Sequence, residues 1–172
     1  SMAEIEALND DIMRRGPEHL YQTTMDYWKA WVNKQSFTFH GLTAEQVNLF
    51  KTSLLVMRAH TDNGGAIIAS SDSDMLQHGK DTYAYVWPRD AAFAAIAFAK
   101  AGYWDIARRY FEFQTKLITS EGYLMHKYLP DGSLGSSWHP WVEDNHDVLP
   151  IQEDETAIII YALWVYYEAS RV

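Results

Sequence analysis

The residues best suited to bind a polar ligand are an arginine and three carboxylates near the predicted starts of two helices. Arg89 and Asp90 occur in the stretch YAYVWPRDAA, and Asp154 and Glu155 occur in LPIQEDETA. A carboxylate at a helix N-terminus is favourable by about 0.3 to 1 kcal/mol, whereas a guanidinium group there is unfavourable. Arg89 therefore needs oxygen-rich partners, which are either carboxylates in a structural ion pair or the hydroxyl groups of a ligand.

Three tryptophans and a histidine accompany these charges. Trp87 precedes Arg89 by two positions, and Trp138, His139 and Trp141 lie in the stretch GSSWHPW. An indole ring stacks well on the apolar face of a sugar ring, while arginine and aspartate bind sugar hydroxyls from the side. Each tryptophan taken singly could instead anchor its own loop to the core. Taken together with the charges, the three indoles favour a carbohydrate pocket.

Two weaker patterns contain residue types that bind metal ions. His139, His146 and Asp147 lack the i, i+4 helical spacing of a zinc site, and the DSD stretch at residues 72–74 lacks the glycine and terminal glutamate of a calcium loop. The sequence also has no cysteine, no glycine-rich phosphate loop and no G-x-S-x-G motif. We therefore expect neither a metal ion nor a cofactor.

The composition limits the kind of partner. The chain has 172 residues and a net charge of −9, without any run of Lys or Arg, which argues against a nucleic acid or an anionic membrane surface. Its longest apolar run, residues 157–167, is shorter than the roughly 20 residues that a membrane-spanning helix needs. A neutral or apolar small molecule is the better expectation, and the cellular compartment stays open.

Five helices are predicted to carry these residues. Apolar periodicity, a Gly-Pro start signal and a Thr-x-x-Gln capping box indicate helices over residues 17–34, 44–60, 89–100, 103–119 and 154–170. The third and fifth are apolar on nearly every side, which predicts an interior position. The fourth has one polar face and is expected at the surface.

The two interior helices are each preceded by a long connection, residues 61–88 and residues 120–153. Loops of this length in a compact domain are usually functional or disordered, and these two are too aromatic to be disordered. Because both lead into N-terminal ends of interior helices, we expect them on one face of the molecule. Within them, residues 64–70 predict a short strand, and residues 122–134 predict a hairpin around a Pro-Asp-Gly turn.

Five segments, in their order along the chain, resemble the first part of the catalytic domain of glucoamylases, glycoside hydrolase family 15, and its bacterial and archaeal branch most. They are NGGAIIAS (63–70), YAYVWPRDAAFAAIAFAKAGY (83–103), YLPDG (128–132), GSSWHPW (135–141) and LPIQEDETA (149–157). The resemblance implies an all-α fold, part of an (α/α)6 barrel or toroid with alternating inner and outer helices and a short hairpin in a long loop. Residues 1–40 would be a linker with the preceding helix, and residues 41–172 the N-terminal portion of the catalytic domain.

The resemblance also implies a substrate and an activity. Trp87, Arg89 and Asp90 would line the innermost sugar subsite, and the segments 138–141 and 152–155 would line the same pocket. The chain would belong to an inverting, exo-acting hydrolase that releases glucose from the non-reducing ends of α-glucans or maltooligosaccharides. Members that cleave α-1,4 bonds, α-1,6 bonds or trehalose share these motifs, so the bond specificity does not follow.

The catalytic acid and base are expected to be absent from this chain. In the family the two catalytic glutamates follow the segment that resembles QEDETA, near which this sequence ends. Glu153 and Glu155 are poor replacements, because close neighbours at one helix start cannot easily place two carboxylates on opposite faces of a sugar ring. We therefore expect a fragment that carries sugar-binding residues and is inactive alone.

Two further expectations concern alternatives and partners. The same residues could form a non-catalytic carbohydrate-binding or regulatory module that uses the pocket for recognition. In either case an incomplete barrel would expose apolar helix faces, and large exposed apolar patches rarely stay solvated. Self-association, or a complementary chain that completes the barrel, is therefore expected.

Overall fold

The computed structural model describes residues 1–71, 82–135 and 142–171. Their regular elements are five helices and one two-stranded antiparallel hairpin: α1 (Met2–Val32), α2 (Ala44–Ala59), α3 (Pro88–Lys100), α4 (Trp104–Gln114), β1 (Val142–Glu143), β2 (His146–Asp147) and α5 (Glu153–Ser170). The described residues are mostly helical, which confirms the all-α class. None of these helices is both long enough and apolar enough to cross a membrane.

The chain divides into two compact units, Ser1–Leu55 and Val56–Val172. The boundary lies within α2, and the domain boundary at residue 40 stays a prediction. In the first unit, α1 begins well before Pro17 because Ser1 forms a capping box with Glu4. Gly16, with φ +76°, interrupts the helix just before Pro17, so the predicted start marks a kink inside a longer helix.

The core of the second unit consists of α3, α4 and α5. The buried side chains of α3 are mostly alanines, which allow neighbouring helices to approach closely: Ala91, Ala92, Ala95 and Ala99, together with Phe98. As predicted, α4 buries one face and exposes the other. Its buried face contains Ile106, Ala107, Tyr110 and Phe111, while Asp105, Arg108, Arg109 and Glu112 are exposed.

Helix α5 differs from its predicted interior position. It packs against α3 and α4 through a narrow face that includes Ala162 and Val165. The opposite face exposes large apolar side chains, of which Ile160 is 70% exposed and Leu163, Trp164 and Tyr167 are about half exposed. The helix is apolar all round, as its sequence indicates, but within the described residues its neighbours cover only part of its circumference.

The hairpin and the short strand predicted in the long connections each appear as an isolated β-bridge. The hairpin appears as a single bridge between Tyr128 and Leu134, closed by a turn in which Leu129 N donates to Ser133 O at 2.8 Å. The short strand appears as a bridge between Thr61 and Ile67. The hairpin β1–β2 was not predicted, because two-residue strands have too few residues to show an alternating pattern.

Gly65 holds the first long connection against α4. Its φ is +98°, and a Cβ atom there would lie 2.1 Å from the carbonyl oxygen of Arg109. Only glycine permits both this backbone conformation and this close approach. The connection that leads toward α3 is therefore fixed to the surface helix at this point.

Candidate functional site

Arg89, at the start of α3, is bound to the start of α5. Its Nη1 atom donates hydrogen bonds to Asp154 Oδ2 at 2.8 Å and to Gln152 Oε1 at 2.9 Å. Its backbone N–H donates to Glu155 Oε2 at 2.8 Å. The oxygen-rich partners that the sequence requires for Arg89 are thus supplied in part by α5, as a structural ion pair.

The rest of the Arg89 guanidinium group lies beside Asp90. The side chain is 34% exposed, and its Nη2 atom is 3.8 Å from Asp90 Oδ2. Within the described residues, Nη2 and Nε make no hydrogen bond, and Asp90 is 53% exposed. The hydrogen bond that Arg89 donates to Asp154, together with the charges of the nearby carboxylates, raises the pKa of Arg89, so the group stays charged. Fixed donors and an adjacent acceptor therefore face solvent together.

Glu155 is the buried carboxylate next to Arg89. Its side chain is fully buried, and its Oε1 atom is 3.4 Å from Arg89 Nη1 without forming a hydrogen bond within the described residues. Burial raises the pKa of Glu155 to about 7, although the Arg89 N–H and the Arg89 charge oppose the shift. A carboxyl group that contacts only protein holds the two helix starts together and is not exposed to a ligand.

Tyr110 connects α4 to the same point. Its hydroxyl group donates to the carbonyl oxygen of Pro88 at 3.0 Å, and the side chain is buried. Burial, and secondarily the charge of Glu155, raise the pKa of Tyr110 well above its ordinary value. The neutral hydroxyl thus fixes the first turn of α3, which carries Arg89 and Asp90.

The aromatic stretch ahead of α3 presents one ring to solvent. Trp87 is only 8% exposed and packs edge-on against Tyr85, with ring centroids 5.8 Å apart. Tyr83 lies 5.7 Å from Trp87 in a tilted arrangement and is 45% exposed. The exposed aromatic surface next to Arg89 in sequence is therefore that of Tyr83, backed by Trp87.

A small cleft opens beside Asp90. It has a volume of about 290 Å³, near the lower limit for small-molecule pockets. His60 and Asp90 are its titratable lining residues, and the rest of the lining is apolar, including Ile67, Ile68 and Ala91. The cleft can accept a small group with both polar and apolar surface.

The predicted site residues thus have different outcomes. Arg89, Asp90, Asp154 and Glu155 meet at the starts of α3 and α5, with Trp87 directly ahead of α3. Trp138, His139 and Trp141 lie outside the described residues, as does the DSD stretch at 72–74. No group of three metal-binding side chains occurs among the residues that the structure describes.

Sequence reasoning missed the roles of Tyr83 and Tyr110. Tyr83 lies in the quoted stretch YAYVWPRD but is indistinguishable there from its aromatic neighbours. Tyr110 shows only the signal of a residue on the buried face of α4, because its bond to Pro88 spans 22 positions. Gln152, in contrast, could be predicted, because it lies in the QEDE stretch, which is expected to line the pocket.

Comparison with known proteins gives two matches. The family model described as Glycosyl hydrolases family 15 matches residues 46–171. A curated but uncharacterized glycosyl hydrolase of Methanocaldococcus jannaschii is 24% identical over 162 residues, which are 92% of this chain and 23% of that protein. The chain thus spans about a quarter of the length of the curated relative it matches. No solved structure matches it.

Proposed function

The chain belongs to glycosyl hydrolase family 15, and on that basis we propose that it forms the sugar-binding part of an inverting, exo-acting glucan hydrolase similar to glucoamylase. The enzyme would release glucose from the non-reducing ends of α-glucans or maltooligosaccharides. Arg89 and Asp90 would bind hydroxyl groups of the terminal glucose, and Asp154 would be a further acceptor. Trp138, His139 and Trp141 would contribute aromatic walls, and the largely buried Trp87 would support the exposed ring of Tyr83.

The observation that carries this proposal is that the two terminal nitrogens of the Arg89 guanidinium group have different partners. Nη1 is held by Asp154 and Gln152, while Nη2 is directed to Asp90 at a partly exposed position. A sugar hydroxyl both donates and accepts hydrogen bonds, so it can accept from the guanidinium group and donate to the carboxylate. Because Nη1 is already fixed, little side-chain entropy is lost when a sugar binds.

Catalysis by this chain alone is not supported. Inversion requires one carboxylic acid and one carboxylate about 6.5 to 9.5 Å apart, on opposite sides of the sugar. Glu155 has the raised pKa of a general acid, but it is fully buried and bound to the Arg89 backbone. It therefore cannot deliver a proton to a glycosidic oxygen, and we propose that the acid and base belong to another part of the enzyme.

The burial of Glu155 also favours a second candidate, a non-catalytic carbohydrate-binding or regulatory module. The two functions make the same prediction for this chain and different predictions for a longer protein that contains it. Hydrolysis of maltotriose by such a protein favours the hydrolase, and binding without hydrolysis favours the module.

The test for this chain is a proton NMR experiment with maltotriose. We expect saturation transfer from protein to sugar, and no glucose signals over the time course, because the hydroxyl-binding groups are present without an acid and base pair. Cellotriose, which has the same glucose units in β linkage, is the matched control ligand, and isomaltose and trehalose report linkage preference. The appearance of β-glucose would contradict the absence of catalytic carboxylates, and the lack of any transfer would contradict the sugar site.

The exposed face of α5 supports a further part of the proposal, that this chain self-associates or binds a complementary chain. Ile160, Leu163, Trp164 and Tyr167 form a large apolar surface of the kind that usually marks an interface. Light scattering over a range of concentrations should give a mass of at least a dimer. Trp164→Glu, at an exposed position, should shift this mass toward the monomer. A monomer at all concentrations would contradict self-association and would leave a complementary chain as the remaining partner for this face.

A further inference from the structure

Lys127 is fully buried behind the aromatic stretch that precedes α3, although lysine is among the residues least often buried. Its Nζ atom lies 4.3 Å from the ring centroid of Tyr85 and 5.5 Å from that of Trp87. Both distances are within the range of cation–π attraction, which is strongest when the cation is removed from water. The two rings thus compensate in part for the loss of hydration.

Backbone pairing explains why these three side chains meet. Val86 N donates to Tyr128 O at 2.8 Å, and Tyr128 N donates to Val86 O at 2.9 Å, so the two segments run antiparallel. In this register Trp87 lies directly opposite Lys127, at the closer, non-hydrogen-bonded type of pair. Tyr85 is on the same face as Trp87, because side chains two positions apart point to the same side of a strand.

Gly135 packs against Lys127 and limits the space around its side chain. Its N–H donates to the Lys127 carbonyl oxygen at 3.0 Å. A Cβ atom at Gly135 would lie 2.9 Å from Lys127 Cγ and 3.0 Å from Tyr85 Cδ1. The aliphatic part of Lys127 and the Tyr85 ring are therefore closely packed against Gly135, and an added methyl group there would displace them.

We propose that Lys127 is a positioning residue for the sugar site, which acts by holding Trp87 through its charge. Trp87 is the N-cap residue of α3 and directly precedes its first turn. A contact that fixes the Trp87 indole therefore also fixes the start of α3. Arg89 follows Trp87 by two positions. This inference rests on the proposed function, because it assigns Lys127 a role in sugar binding at Arg89 and Asp90.

The experiment compares Lys127→Met, which keeps the length of the side chain without its charge, with Lys127→Arg, which keeps the charge. The readouts are the affinity for maltotriose and the indole N–H resonance of Trp87, assigned with Trp87→Phe. We expect Lys127→Met to weaken binding by about fivefold or more and to shift the Trp87 resonance, and Lys127→Arg to restore both in large part.

Two results would overturn the inference. One is a Lys127→Met chain with unchanged affinity and an unchanged Trp87 resonance. The other is a Lys127→Arg chain as impaired as Lys127→Met, which would show that packing and not charge acts here.

If wild type itself gives no maltotriose signal, the proposed function fails, and the Trp87 resonance still decides whether Lys127 positions the indole. If Lys127→Met does not fold, Gly135→Ala, which displaces Lys127 without removing its charge, must shift the Trp87 resonance, and an unmoved resonance contradicts the inference.

Discussion

Arg89→Ala is expected to weaken maltotriose binding by about ten- to a hundredfold, the loss that corresponds to about 1.5 to 3 kcal/mol for hydrogen bonds to a charged group. The substitution removes the only cation that the described site presents beside Asp90, and it releases Asp154 and Gln152. The bond between the residue 89 backbone and Glu155 remains, since it does not involve the side chain. The measurement is a saturation-transfer titration with maltotriose.

The matched control is Arg108→Ala. Arg108 is an exposed arginine on α4 whose partner among the described residues is its helix neighbour Glu112, so its loss should leave binding unchanged. Arg89→Lys keeps the charge but loses the planar, two-pronged donor geometry, and should bind with intermediate affinity. Full affinity in Arg89→Ala, with an unchanged unfolding midpoint, would show that the sugar is bound elsewhere.

Glu155→Gln is expected to remove a pH dependence of stability between about pH 4.5 and pH 7. Burial raises the pKa of Glu155 from 4.5 to about 7, so across this range the folded chain holds a proton that the unfolded chain has lost. Stability therefore falls as pH rises through this window and levels off above it. At about 1.4 kcal/mol for each pKa unit, the full change is on the order of 3 kcal/mol.

The measurement is the free energy of unfolding by urea, taken for both chains at several pH values. Subtracting one profile from the other removes the contributions of all other titrating groups, and the variant should gain on wild type as pH rises from 4.5 to 7. Glu112→Gln, at an exposed position on α4, serves as the control for replacing a glutamate with glutamine away from the site. Parallel profiles for Glu155→Gln would mean that Glu155 does not carry the raised pKa.

The helix starts could be predicted from sequence because their signals are local. The capping box at Thr43 and Gln46 and the proline at position 88 determine where α2 and α3 begin, through bonds or dihedral angles within a few residues. The first half of α1 was missed, although its capping box at Ser1 and Glu4 is equally local.

The candidate site could be predicted only in part. The unfavourable position of Arg89 at a helix N-terminus indicated that it needs oxygen-rich partners, and α5 supplies them. Which partners it takes, and that Lys127 is buried while Tyr83 is exposed, depends on contacts between distant segments. Such contacts are decided by the packing of the whole unit, and residue type alone gives the opposite expectation for Lys127.

The bonds that hold Arg89 have a consequence for the order of folding. They join residues that are 63 to 66 positions apart along the chain. Closing so long a loop costs chain entropy before any contact compensates for it, which is why distant contacts form slowly. During synthesis, helix α3 can form well before its partners in α5 exist. Arg89 would then remain without its anchoring bonds until α5 has been made, and the capacity to bind a ligand would appear only after that point.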